Sequence, residues 1–250
     1  MATIVTGEMS VKLGNQFAEI QRQLYLQRGG YPYDPEMLSK HLQLAIEGKF
    51  VDIATQVAVG NNLSFAIGLA EHQADKLFGY KANIAEMFAL PEVLPWKEVI
   101  AILQPSGVDN RQAVNSLQKY GLSKAYEEVD VNKYKYHEAS DKPRLFLIER
   151  NPRPTKNTMG KSPNTLVKTG RLWLPLKVYA LAFGQYYEAT NQYLDPETWT
   201  WFPTERLSDG EVAYGYWNPS DRNVRFHWIN AGGEIDGMGA REAIEVPLKP

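Results

Sequence analysis

Between residues 10 and 27 the apolar side chains Val11, Leu13, Phe17, Ile20 and Leu24 recur at spacings of two, four, three and four, close to the helical repeat, and Ser10 stands where an N-cap belongs. The pattern predicts an amphipathic helix that stops at Gly29 and Gly30. Asp34 followed by Pro35 opens a second one, with Leu38, Leu42, Ala45 and Ile46 on one face and Gly48 as its C-cap. Such a pair forms either an internal helical hairpin or an element that docks and oligomerises. Residues 63–78 read as a third helix weakened by Gly68, and residues 50–59 fit helix or strand.

Pro91 and Pro95 break the pattern, which places a boundary between a helical part, 1–94, and a second part, 95–250. In the second part, residues 110–120 suit a short helix with Ala113, Val114 and Leu117 inward and Gly121 as its C-cap. Residues 145–148 suit a buried strand. Residues 174–187 suit a helix that buries Val178, Leu181, Ala182 and Tyr186. Pro152, Pro154, Gly160, Pro163 and Gly170 make 151–170 a long loop.

From Trp199 onward the period changes to two. Turn signals at Ser208-Asp209-Gly210, Asn218-Pro219-Ser220-Asp221 and Ala231-Gly232-Gly233 cut the segment into hairpins. Strict alternation over residues 223–228 points Val224, Phe226 and Trp228 into a core and leaves Asn223, Arg225 and His227 on the wet face. The fold class expected is therefore α+β.

Composition narrows the function. A formal charge of −2 over 250 residues gives no clustered positive surface for a phosphate backbone, so nucleic acid is not an expected partner. The absence of cysteine removes disulfides, thiol catalysis and thiolate metal sites. No signal peptide or membrane span is read, and a cytoplasmic or virion-associated protein is expected.

Phosphate-loop, dinucleotide, zinc-protease and nucleophile-elbow motifs are all missing. His41, His72, His137 and His227 have no metal-ligand spacing, and Asp130, Asn132 and Glu138 do not follow the order of a calcium loop. Glu127 with Glu128, or Asp209 with Glu211, are the carboxylate pairs open to acid/base work, though each also suits a solvated surface. Neither a cofactor nor a metal is expected. The distinctive feature is the supply of rings: 6 Trp, 14 Tyr and 9 Phe, with eight of them between Trp199 and Trp228. Rigid rings build cores, and they also build binding surfaces.

The series Trp199-Thr200-Trp201-Phe202-Pro203-Thr204-Glu205, then Ala213-Tyr214-Gly215-Tyr216-Trp217, Val224-Arg225-Phe226 and finally Gly239-Ala240-Arg241 with Ala243-Ile244-Glu245-Val246 resembles the end of C-type-lectin-fold proteins. It is most similar to the formylglycine-generating-enzyme-like branch, which includes the variable proteins of diversity-generating retroelements. The resemblance implies a C-type-lectin-like domain of short antiparallel strands with two helices after a helical N-terminal part. It further implies a ligand-binding surface formed among Tyr214, Tyr216, Asn218, Ser220, Asp221, Asn223, Arg225, His227, Asn230 and Asp236. Two departures matter. Without cysteine the oxidation chemistry of that branch is ruled out, so no enzyme is expected, and Pro219 after Trp217-Asn218 departs from calcium-dependent sugar lectins.

The expected function is recognition of an unknown protein or other ligand, with the N-terminal helices open to homo-oligomer formation. A structural or phage-tail component, and a hydrolase using 151–170 as a lid, are the alternatives.

Overall fold

A computed structural model describes residues 50–122, 140–207 and 209–250. The expected helices at 10–27 and 34–48, together with His41, Glu127, Glu128, Asp130, Asn132, His137 and Glu138, lie outside the described residues. Residues 57–250 form one compact unit.

Residues 99–104 are apolar except for Gln104 and buried at every position, as a strand covered on both faces must be. This strand, β1 (Val99–Gln104), pairs antiparallel with β2 (Arg144–Glu149), and β2 pairs antiparallel on its other edge with β7 (Ala243–Val246). Its side chains divide by parity. Val99, Ala101 and Leu103 join Leu145, Leu147 and Val246 in a core against Ala66, Ala70 and Ala74 of helix α1 (Phe50–Phe78) and against Ile84, the first residue of the short helix α2 (Ile84–Met87), and Phe88, its C-cap. The three alanines, spaced by four, lie on the helix stripe that meets the sheet.

Ile100, Ile102, Phe146 and Ile148 face the opposite way, into the main core. There they meet α3 (Asn110–Ser116), which Asp109 and Gln112 start with a capping box, and α5 (Leu176–Thr190), which ends at Asn191 in the left-handed region. A 3-10 turn, Leu117–Tyr120, extends α3 to Gly121. Helix α5 is buried along most of its length, which explains the apolar residues around its circumference.

The second sheet has the order β5-β4-β3-β6: β3 (Trp199–Arg206), β4 (Val212–Asn218) and β5 (Asn223–Ile229) form an antiparallel meander, and β6 (Met238–Ala240) adds to β3 in parallel. Its inner face packs on α5, with Tyr179 edge-on to Phe183, Phe202 and Phe226. Gly215 is at the centre of this contact. A Cβ there would lie 2.9 Å from Tyr179 Cε1, 3.1 Å from Phe202 Cζ and 3.2 Å from Phe226 Cε1. Gly215→Ala should therefore cost about 1 to 3 kcal/mol through overpacking, read as a lowered urea midpoint.

The helix expected at 63–78 is present, and residues 50–59, which fit helix or strand, continue it as one helix. Residues 57–94 share a compact unit with the sheets. Three other expectations are corrected. The segment 151–170 contains a 3-10 turn, Lys156–Thr158, and helix α4 (Pro163–Val167), which Ser162 caps ahead of proline at its first turn.

Trp228 is 40% exposed rather than core, although Val224 and Phe226 are buried as expected. The rings of α5 reach Phe226 and Trp217, and Trp228 lies one inward position farther along β5. Trp228→Ala should accordingly cost only about 1 kcal/mol, checked by thermal melting. Asn223, expected on the wet face, is buried where it pairs with Asn218 at the hairpin end, and it hydrogen-bonds Asp221.

Candidate recognition site

The outer face of the second sheet is divided by what covers it. Over β3 and β6, Trp201, Met238 and Ala240 join Val212 in a small core closed by Leu166 of α4, Trp173 and Ala231, with Ile235 partly buried against it. Hydrogen bonds hold this cover down: Asn164 N–H donates to the Ala231 carbonyl (3.3 Å) and the Trp173 indole Nε1 to the Leu166 carbonyl (3.1 Å). Over β4 and β5, Tyr214, Tyr216, Arg225 and His227 remain half-exposed.

The register brings these four together. Tyr214 is opposite His227 and Tyr216 is opposite Arg225. The Tyr214 and Tyr216 ring centroids are 6.1 Å apart, and the His227 ring lies 5.9 Å from each. Half-buried Trp199 meets Tyr216 edge-on at 6.1 Å, and buried Trp201 meets Tyr214 at 5.7 Å. The rings thus support one another in edge, tilted and stacked contacts, which fix their orientation before anything binds.

The polar rim follows from the hairpin. Asp221 pairs with Arg225 four residues on, with Arg225 Nε 2.9 Å from Asp221 Oδ2. Burial works to raise the Asp221 carboxyl, but the Arg225 hydrogen bond and charge outweigh it and hold the group below its ordinary value. Burial raises the Tyr216 hydroxyl above its usual value of 10, so it stays protonated as a donor at neutral pH. The Asn218 side chain accepts from Ser220 N–H (3.0 Å) and the Asn230 side chain from Gly232 N–H (2.8 Å), so both shape turns at the ends of the strands. Ser220, Asn230 and Asp236 are exposed.

Of the ten residues expected at the surface, Tyr214, Tyr216, Arg225 and His227 share one face, and Asp221 joins them through Arg225. Asn218 ends β4 opposite buried Asn223, and Ser220, Asn230 and Asp236 lie beyond the strand ends. Trp199 belongs with the group. Its alternation with Thr200 along β3 was the signal for it.

A buried ionic knot lies at the start of β3. Arg241, expected to close the motif, is 3% exposed and uses all of its guanidinium N–H groups: Nε to Thr200 Oγ1, Nη1 to the carbonyls of Asn151 and Arg153, and Nη2 to the Pro152 carbonyl and to Asp195 Oδ1 at 2.7 Å. Asp195 also accepts from Tyr179 (2.9 Å), Thr198 (3.0 Å) and Thr200 (2.6 Å). Burial, followed by the Asp195 charge, raises the Tyr179 hydroxyl well above 10, so it remains a donor. The knot ties loop 151–153 and the start of β3 to the strand end that carries Arg241.

The arrangement offers planar stacking surfaces, one cation and several hydrogen-bonding groups on a sheet face. Among the described residues, no group of three His, Asp or Glu side chains could hold a metal ion, and no helix is long and apolar enough to cross a membrane. Asp209 Oδ1 accepts from Glu211 N–H at 3.0 Å, which places that carboxylate pair in a turn. No family model, curated protein or solved structure matches the chain.

Proposed function

We propose that this chain is a recognition protein that binds a macromolecular partner through the uncovered half of the second sheet. One observation carries this reading: α4 and the segment 231–235 close the outer face over β3 and β6, but Tyr214, Tyr216 and His227 stay half-exposed with Arg225 beside them. Rings of this kind lose little rotamer freedom on binding, and a sheet face is flat, which suits another macromolecule better than a small ligand.

The order of elements supports a C-type-lectin-like scaffold. The strand β2 is followed by a long helix, a three-stranded meander and a closing strand that returns to β2, with Arg241 just before that strand. On this reading the segment from Trp199 to Arg241 is of the variable type found in diversity-generating retroelements. A near-copy of that segment beside a reverse transcriptase gene, differing only at adenines, would support it.

The biochemical test is selection from a displayed random-peptide library. Clones selected on the wild type should lose at least about tenfold in affinity, roughly 1.4 kcal/mol, for Tyr216→Ala, with the melting temperature unchanged. Clones indifferent to Tyr216→Ala and Tyr214→Ala would move recognition off this face.

A further inference from the structure

Residues 150–171 contain Arg150, Arg153, Lys156, Lys161, Lys168 and Arg171 and no Asp or Glu. The structure separates the arginines from the lysines. Arg150 faces Glu98 at 3.8 Å, Arg153 pairs with Glu197 at 2.7 Å, and Arg171 pairs with Glu242 at 2.6 Å. Lys156, Lys161 and Lys168 are exposed and have no ion-pair partner among the described residues.

The segment is also held in place. Thr155 N–H donates to the Ala240 carbonyl (3.0 Å), Thr158 Oγ1 bonds both the Ala240 N–H and carbonyl (2.9 Å each), and Gly160 N–H donates to the Met238 carbonyl (2.8 Å). The backbone carrying Lys156 and Lys161 therefore runs along the outer edge of β6, and Lys168 is the C-cap of α4, which packs on β3. With strands about 4.8 Å apart, the segment beyond that edge lies three spacings, roughly 15 Å, from the rings on β4, within the span of one ordinary protein interface.

We propose that Lys156, Lys161 and Lys168 form the charged rim of this interface, and that the partner is a protein segment rich in Asp and Glu. The inference rests on the recognition reading above. Charge and chemistry favour protein over nucleic acid. The guanidinium forks best suited to phosphate are already paired with carboxylates, leaving lysines as point charges. Exposed Glu234 and Asp236 lie on the neighbouring segment, with Asp236 Oδ1 only 3.7 Å from where a Cβ on Gly160 would stand. These two carboxylates repel any uniformly acidic chain alike, so the preference for protein over nucleic acid rests on the paired arginines.

The test titrates labelled poly-L-glutamate and labelled oligothymidylate against the full chain at low and at physiological salt. Wild type should bind poly-L-glutamate at low salt, more weakly as salt rises, and more tightly than oligothymidylate. The triple variant K156E/K161E/K168E, and the milder K156Q/K161Q/K168Q, should both keep the wild-type melting temperature. The charge reversal should lose at least about tenfold in affinity, and the neutral version should fall between it and wild type. Absence of poly-L-glutamate binding, indifference to both variants, or tighter binding of oligothymidylate would overturn the inference. If the lysine variants fail to alter binding but Tyr216→Ala still abolishes capture of library peptides, the ring surface stands without its charged rim. The opposite pair of results leaves the rim without the rings.

Discussion

Replacing Arg241 with Met should destabilise the protein by about 3 to 5 kcal/mol, because the Asp195 carboxylate would remain buried without its cation. The two side chains are 3% and 0% exposed, so water cannot take over the lost interaction. Tyr179, Thr198 and Thr200 would still donate to Asp195, but three neutral donors do not compensate a buried charge. Equilibrium urea denaturation should read the loss as a lower midpoint with an unchanged slope. A second substitution, Asp195→Asn, should restore part of the stability by removing the stranded charge. A loss under about 1 kcal/mol would show that the knot is not what binds loop 151–153 to the sheet.

Stability should also fall as pH rises between about 4.5 and 7, and Glu205 is the cause. Its side chain is fully buried at the end of β3, where Oε1 accepts from Leu176 N–H at 2.7 Å at the start of α5. Burial pushes the carboxyl up from its ordinary 4.5 to about 7, against the opposing effects of the Leu176 N–H, the Lys177 charge and the Asn110 side chain. Within that window the folded chain holds a proton that the unfolded chain has released. Stability contributed by this group is complete below 4.5 and lost as pH passes through 7, a change of about 3 kcal/mol that levels off at higher pH. In Glu205→Gln this component should be absent, leaving the variant more stable than wild type at pH 8. Melting curves for both proteins from pH 5 to 8 test this, and parallel profiles would contradict it.

Residues 223–228 mark how much of this fold could be read in advance. Alternation correctly sends Val224 and Phe226 inward and Arg225 and His227 outward, because side-chain direction is a local property of a strand. Coverage is not local. Trp228 points the same way as Phe226, yet the α5 rings end before it, and Asn223 points outward in sequence but is enclosed by the hairpin. The helices at 110–120 and 174–187 are legible through their caps and stripes, whereas β1 is buried at all six positions and has no period to read.

The same distinction applies to the site. Tyr214, Tyr216, Arg225 and His227 follow from strand parity. That α4 covers β3 and leaves Tyr214 and Tyr216 of β4 half-exposed depends on contacts such as Asn164 with Ala231, which no local pattern encodes. Asp195 and Arg241 are 46 residues apart, and Asp195 has a left-handed backbone (φ 50°) within a network that joins local donors to this distant cation. The run of cations from Arg150 to Arg171 was visible in the sequence, but which of them were already paired was not.

A second group of rings makes a direct comparison possible. Tyr187 stacks on Tyr193 at 5.4 Å and Tyr193 on Trp217 at 3.9 Å, a column in which both tyrosines are half-exposed. Hydroxyl-radical footprinting, with and without a saturating library-selected peptide, reads both groups in one experiment. The account predicts protection of Tyr214, Tyr216 and His227 with Tyr187 and Tyr193 unchanged. Protection of Tyr187 and Tyr193, with the β4 and β5 rings oxidised as in the free protein, would contradict it.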